Sequence, residues 1–122
     1  MKAIRLAWVG IRADDYDATV RLFRDVLGLE VELVEEHTTE LSLPAGERVQ
    51  VFGRGHRYHE LFGAEAGGPV PLFEVEDVRE AERRLGEAGL VIVGSLESDP
   101  GWEWLNFRGP DGNLYAVASR RG

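Results

Sequence analysis

The chain has 122 residues, long enough to bury a core without disulfide or metal staples and too short for two independently folded domains. Its hydrophobic content of 43%, charged content of 30% and net charge of −8 describe a globular protein; with no basic cluster, they exclude nucleic acid and anionic membrane surfaces as partners. The absence of cysteine excludes disulfides, thiolate nucleophiles, Cys-ligated zinc and iron–sulfur clusters. No apolar run approaches the ~18 residues of a membrane span, and no basic segment followed by an apolar one opens the chain, so a soluble cytoplasmic protein is expected.

Ile4–Arg12 reads as a first strand, and the carboxylates of Ala13-Asp14-Asp15 suit a helix N-terminus. Tyr16, Val20, Phe23 and Val26–Leu27 recur every three to four residues, which predicts one buried helix face ending at Gly28. Glu30–Glu36, Thr39–Leu43 and Arg48–Phe52 then read as three short antiparallel strands, the last two separated by the turn Pro44-Ala45-Gly46.

The same order repeats in the second half. Val70–Val75 reads as a strand, and Asp77 as an N-cap with a capping-box acid at Glu80. Val78, Ala81, Leu85 and Ala88 make a helix face ending at Gly89. Leu90–Gly94, Trp102–Phe107 and Asn113–Ala118 give three more strands, the last two joined by Gly109-Pro110-Asp111-Gly112. Asp15 lies 62 residues before Asp77 and Gly28 lies 61 before Gly89, half the chain length. Two copies are too few for a solenoid. The expectation is an α+β fold in one domain, 1–122: two βαβββ modules, 1–54 and 69–122, joined by a Gly-rich connector, 55–68.

Three segments carry a family resemblance. Leu22-Phe23-Arg24-Asp25-Val26-Leu27-Gly28-Leu29, Phe73-Glu74-Val75-Glu76-Asp77-Val78 and Phe107-Arg108-Gly109-Pro110-Asp111-Gly112-Asn113 resemble, in order and spacing, the vicinal oxygen chelate superfamily of glyoxalases, extradiol dioxygenases and bleomycin-resistance proteins. The resemblance implies a half-open β-sheet cleft with the helices on its outer face. It also implies four metal-ligand positions, which fall here on Trp8, Gln50, Val70 and Ala116. A catalytic divalent site wants about three His, Asp or Glu ligands and an open position. Only Gln50, a weak neutral donor, can ligate at all, so no metal and no other cofactor is expected.

Side chains alternate across a strand, which sorts the two faces of the sheet. If Trp8 points into the cleft, Leu6, Gly10 and Arg12 share its side. Arg48, Gln50 and Phe52, then Val70, Leu72 and Glu74, then Leu114, Ala116 and Ala118, would also face inward. Placing Phe107 against the helices puts Trp102, Trp104 and Asn106 in the cleft. The expected ligand-binding set is thus Trp8, Arg12, Arg48, Gln50, Phe52, Val70, Leu72, Glu74, Trp102, Trp104, Asn106 and Ala116. Apolar and aromatic walls with sparse polar anchors are the make-up of a small-molecule pocket. The competing reading has Trp8 and Trp104 filling a collapsed cleft or a dimer seam.

His56-Arg57-Tyr58-His59-Glu60 has a spacing that invites a metal reading, but Gly53, Gly55 and Gly63 around it argue for a solvated loop. No nucleophile elbow or phosphate-cradling loop is present. The functional expectation is metal-independent binding of a small aromatic or cationic molecule, with the acidic chain and indole faces favouring cations. The alternatives are a lyase, isomerase or dioxygenase with unorthodox ligands, and a dimeric interaction module with a vestigial cleft. Modules of this family commonly pair, so a homodimer is expected.

Overall fold

In the computed structural model, which describes residues 1–121, Asp15 and Asp77 cap the helices that pack beside their modules. Asp15 Oδ1 accepts from Ala18 N at 3.2 Å, and Asp77 Oδ1 accepts from Arg79 N at 3.0 Å and Glu80 N at 3.4 Å. Each satisfies an amide that the first helical turn leaves without a partner. The Glu80 side chain does not reach back as the capping-box expectation has it: its carboxylate bonds Arg83 and Arg84 one turn on, where two guanidiniums are better partners than one amide.

The elements run β1 (Arg5–Arg12), α1 (Tyr16–Arg21, widening into a π-helical segment over Leu22–Val26), β2 (Glu30–Glu35), β3 (Thr38–Ser42) and β4 (Arg48–Phe52). After α2 (Arg57–Glu65) come β5 (Val70–Glu74), α3 (Val78–Glu87), β6 (Val91–Ser98), β7 (Trp102–Arg108) and β8 (Leu114–Arg120). All eight strands form one open sheet, ordered β2-β3-β4-β1-β5-β8-β7-β6. Within each module the first strand pairs in parallel with the last, β1 with β4 and β5 with β8, and the modules meet where β1 and β5 pair antiparallel. The fold is α+β, built from two βαβββ units, as the internal repeat predicts.

Two apolar clusters hold the outer helices to the sheet. Val20 of α1 packs with Ala13, Leu41 and Val51, while Val78, Ala81 and Leu85 of α3 pack with Val75, Leu105 and Val117. Phe107 joins the α3 cluster, so β7 has the parity inferred from the sequence and turns Trp102, Trp104 and Asn106 to the opposite face.

The connector departs from expectation. Residues 57–65 are helical, not a loop, with His56 as N-cap accepting from Tyr58 N through Nδ1 at 3.1 Å. This α2 lies on the cleft face: Phe62 is buried against Phe52, Val70 and Leu114, all on the inward parity of their strands. Apolar residues at Tyr58, Leu61 and Phe62 gave the segment a side to bury, which outweighs the flanking glycines. The helices therefore do not all sit on the outer face.

Two strand irregularities matter for the site. A bulge at Ala7 shifts the β1–β5 register, so that Leu6 pairs with Phe73 and Trp8 with Leu72. One extra residue reverses the parity upstream, so Leu6 lies on the helix side, contrary to expectation, and Arg5 and Ala7 join the cleft. β6 runs on to Ser98 past a register shift between Val93 and Glu97, with Gly94 at φ 78° at its start.

Candidate functional site

The cleft occupies about 350 Å³ on the inner face. Strand register fixes its floor. One row crosses it as Arg48, Trp8, Leu72, Ala116 and Asn106 on β4, β1, β5, β8 and β7. The next runs Arg5, Glu74, Ala118 and Trp104. Small side chains at Ala7, Ala116 and Ala118 lie between large ones at Trp8, Trp102 and Trp104, and that difference in volume is what leaves a hollow where a flat sheet would close.

Each indole is held by its own contacts. Trp8 Nε1 donates to Gln50 Oε1 at 3.1 Å, Gln50 Nε2 donates to Thr38 Oγ1 at 3.0 Å, and Thr38 Oγ1 donates to the Val51 carbonyl at 2.8 Å. The Trp8 ring lies over Gly10, where a Cβ would collide with the indole and come within 2.8 Å of Phe62 Cε2. Trp104 Nε1 donates to the Tyr58 hydroxyl at 2.9 Å, and that hydroxyl donates to Glu97 Oε2 at 2.8 Å. Trp102 carries the Arg120 guanidinium 4.7 Å above its ring.

The α2 helix closes one end of the cleft. Tyr58 stacks on Phe62 with ring centroids 5.3 Å apart, and both rings meet Phe52 edge-on at 5.4 and 5.5 Å. Burial first, and the neighbouring Glu97 carboxylate after it, push the Tyr58 phenol up to about 12, so it is a neutral hydrogen-bonding group at physiological pH.

Trp8, Arg48, Gln50, Leu72, Trp102, Trp104, Asn106 and Ala116 line the cleft as the sequence predicts. Phe52, Val70 and Arg12 have the expected parity but lie beneath α2: Phe52 and Val70 are in its apolar cluster, and Arg12 Nε donates to the His59 carbonyl at 3.1 Å. Glu74 is buried between Arg5 Nε at 2.8 Å and Arg120 Nε at 3.3 Å. Burial by itself would raise its carboxyl, but the two guanidiniums outweigh that and hold it below the ordinary range. Ala118 lines it with the inward parity expected of β8, while Arg5, Ala7, Tyr58, Phe62 and Arg120 line the cleft without having been expected there. Glu40, Gly46 and Asp99 complete the rim.

Charge in the cleft does not follow the net −8 of the chain. Arg5, Arg48 and Arg120 stand on the lining against Glu40 and Asp99, with Glu74 buried beneath, so the acidic excess lies elsewhere. This removes the electrostatic reason for preferring a cation.

The four metal positions that the family resemblance implies do not fit a divalent ion. Trp8 offers an N–H donor already spent on Gln50, both ends of the Gln50 amide are engaged, Val70 is packed under α2, and Ala116 presents a methyl group. His56 caps α2 and lies tilted against Phe52 with ring centroids 4.7 Å apart, while His59 is buried and bonds Asp14 Oδ1 at 3.1 Å. Among the described residues no three His, Asp or Glu side chains come together as a metal-holding group.

Paired βαβββ modules that share one sheet around a ligand-sized cleft define the class of protein. Residues 5–117 match the family described as the Glyoxalase/Bleomycin resistance protein/Dioxygenase superfamily, and the chain belongs to it. Among curated proteins none matches the sequence. The fold is similar to that of a glyoxalase/bleomycin resistance protein/dioxygenase superfamily member from Vibrio splendidus 12B01, at 22% identity and TM-score 0.72, covering 94% of this chain and 97% of that one. It is also similar to methylmalonyl-CoA epimerase from Mycobacterium tuberculosis, at 18% identity and TM-score 0.72 over 98% of this chain and 90% of that one. A variant of homoprotocatechuate 2,3-dioxygenase from B. fuscum aligns at 18% identity and TM-score 0.74, over 99% of this chain and 33% of that one. These likenesses concern the fold; the chemistry has to be argued from the cleft.

Proposed function

We propose that this chain binds a small aromatic molecule in the cleft without a divalent ion, holding it as a bleomycin-resistance protein would and not converting it. The observation that carries the reading is the ring of three indoles around the alanine floor. Such a floor leaves room for a flat ligand, and indole faces favour aromatic contact by about 0.5–1.5 kcal/mol per ring pair beyond area burial. Asn106 supports the same reading: it is only 3% exposed, lines the cleft, and finds no side-chain hydrogen bond among the described residues, so a ligand polar atom is its natural partner.

The proposal includes a cytoplasmic homodimer. Support for pairing comes from the outer edge of the first module, where Val26, Leu27, Val31, Leu33 and Val34 are all exposed, against the ion-paired surface of α3 in the second. No helix among the described residues is long and apolar enough to cross a membrane.

Quenching of tryptophan emission by 2-naphthalenemethanol, quinoline and 2-naphthylmethylammonium tests the binding. Saturable 1:1 quenching that disappears in Ala116→Phe is expected, because the new ring fills the floor. Silence across the three probes would contradict the reading.

A further inference from the structure

The two guanidiniums on Glu74 are not equivalent to ordinary ion pairs. Arg48 is matched one-to-one, its Nη1 donating to Glu40 Oε1 at 2.7 Å. Arg5 and Arg120, by contrast, share a single carboxylate, and each contacts it through Nε. Among the described residues the Nη groups of both make no hydrogen bond, although both side chains line the cleft. The remaining nearby acid, Asp99, directs Oδ1 to the backbone amides of Gly101 and Trp102 at 2.8 Å. A set of planar N–H donors, on guanidiniums whose one shared carboxylate engages only their Nε groups, is therefore left over beside the Trp102 ring, on which Arg120 rests.

A guanidinium held by Nε keeps its Nη groups for a second acceptor, and the planar fork matches a carboxylate. Glu74, held ionised, fixes both arginines at little cost in ligand ordering, which is the preorganisation a binding site needs. We infer that Arg5 and Arg120 form an anion subsite at the end of the cleft, and that the ligand class is an aromatic carboxylate, its ring among Trp8, Trp102 and Trp104 and its carboxylate on the free Nη groups. This rests on the aromatic-cleft reading and narrows it.

The test compares 2-naphthoate with 2-naphthalenemethanol, which share a ring system and differ in charge, by calorimetric titration of the full chain. Charge-assisted hydrogen bonds predict that the naphthoate binds roughly tenfold to a hundredfold more tightly. In Arg120→Ala, a substitution at a side chain 64% exposed and so not needed for the core, that ratio should fall below about threefold, with Arg120→Lys between the two. Equal affinity of the two probes for the unsubstituted protein would overturn the anion subsite and leave the aromatic cleft standing. Binding of neither would overturn the cleft reading, and this one with it. An undiminished ratio in Arg120→Ala would also overturn the assignment.

Discussion

Trp8 and Gln50, 42 residues apart in sequence, are joined by a 3.1 Å hydrogen bond from the indole Nε1 to the amide Oε1, at two of the positions where the family resemblance implies metal ligands. The bond turns the only donor group of that set into a support for an aromatic wall. Replacing Gln50 with Leu leaves the Trp8 N–H and the Thr38 hydroxyl short of a partner. That should cost about 1–2 kcal/mol and alter the tryptophan emission maximum. A thermal melt unchanged within about one degree, with unchanged emission, would show that the bond does not hold the ring.

Glu74 makes stability pH-dependent in a definite direction. Its folded-state carboxyl is depressed below the ordinary value of 4.5, so the stabilisation is present above that value and is lost as pH falls through the folded one. Glu74→Gln should be less stable than the unsubstituted protein at pH 7, and the gap should narrow steadily as the pH drops below about 4.5. Melting curves of both proteins across that range check it; a gap that stays constant contradicts it.

Tyr58 titrates in the opposite sense. Its phenol is raised from 10.0 to about 12, so the neutral form contributes stability that is complete below 10.0 and is lost as pH rises toward 12. Tyr115, bonded to Asp111, is raised as well, so ultraviolet titration should show more than one late tyrosine, and Tyr58→Phe should remove one equivalent from the late part of the curve. The same substitution leaves Trp104 Nε1 without its acceptor, so a change in emission is expected alongside.

The exposed apolar edge predicts an assembly. Val34 is 67% exposed and Val26 74%, with no covering partner among the described residues. Sedimentation velocity should give a dimer for the unsubstituted protein and a monomer for Val34→Glu, with the fold retained by circular dichroism. A monomer at all concentrations before substitution would remove the homodimer from the account.

The architecture was legible from the sequence because the repeat carried it. Asp15 and Asp77 cap equivalent helices, and Gly28 and Gly89 follow them with φ of 76° and 80°. Strand alternation sorted β4, β5, β7 and β8 correctly, which is why Trp102, Trp104 and Asn106 were found although they bind nothing recognisable as a motif. Alternation failed at β1, where one bulged residue at Ala7 brought in Arg5 and turned Leu6 away. The helix α2 was hidden by its glycines; the signal for it was His56 before an aromatic pair at i and i+4, Tyr58 and Phe62. Its position over Phe52, Val70 and Arg12 depends on tertiary packing that no local pattern encodes. Arg120 was within reach, since it continues the inward series Leu114, Ala116, Ala118 by one more pair.

The cleft is proposed to bind its ligand through indoles and alanines and not through a metal. Calorimetric titration with 2-naphthoate of protein stripped by chelator, repeated after adding millimolar Mn, Ni or Zn, tests it most directly. The expected result is 1:1 binding with the same affinity in every case. Binding that appears only once a divalent ion is restored would contradict it.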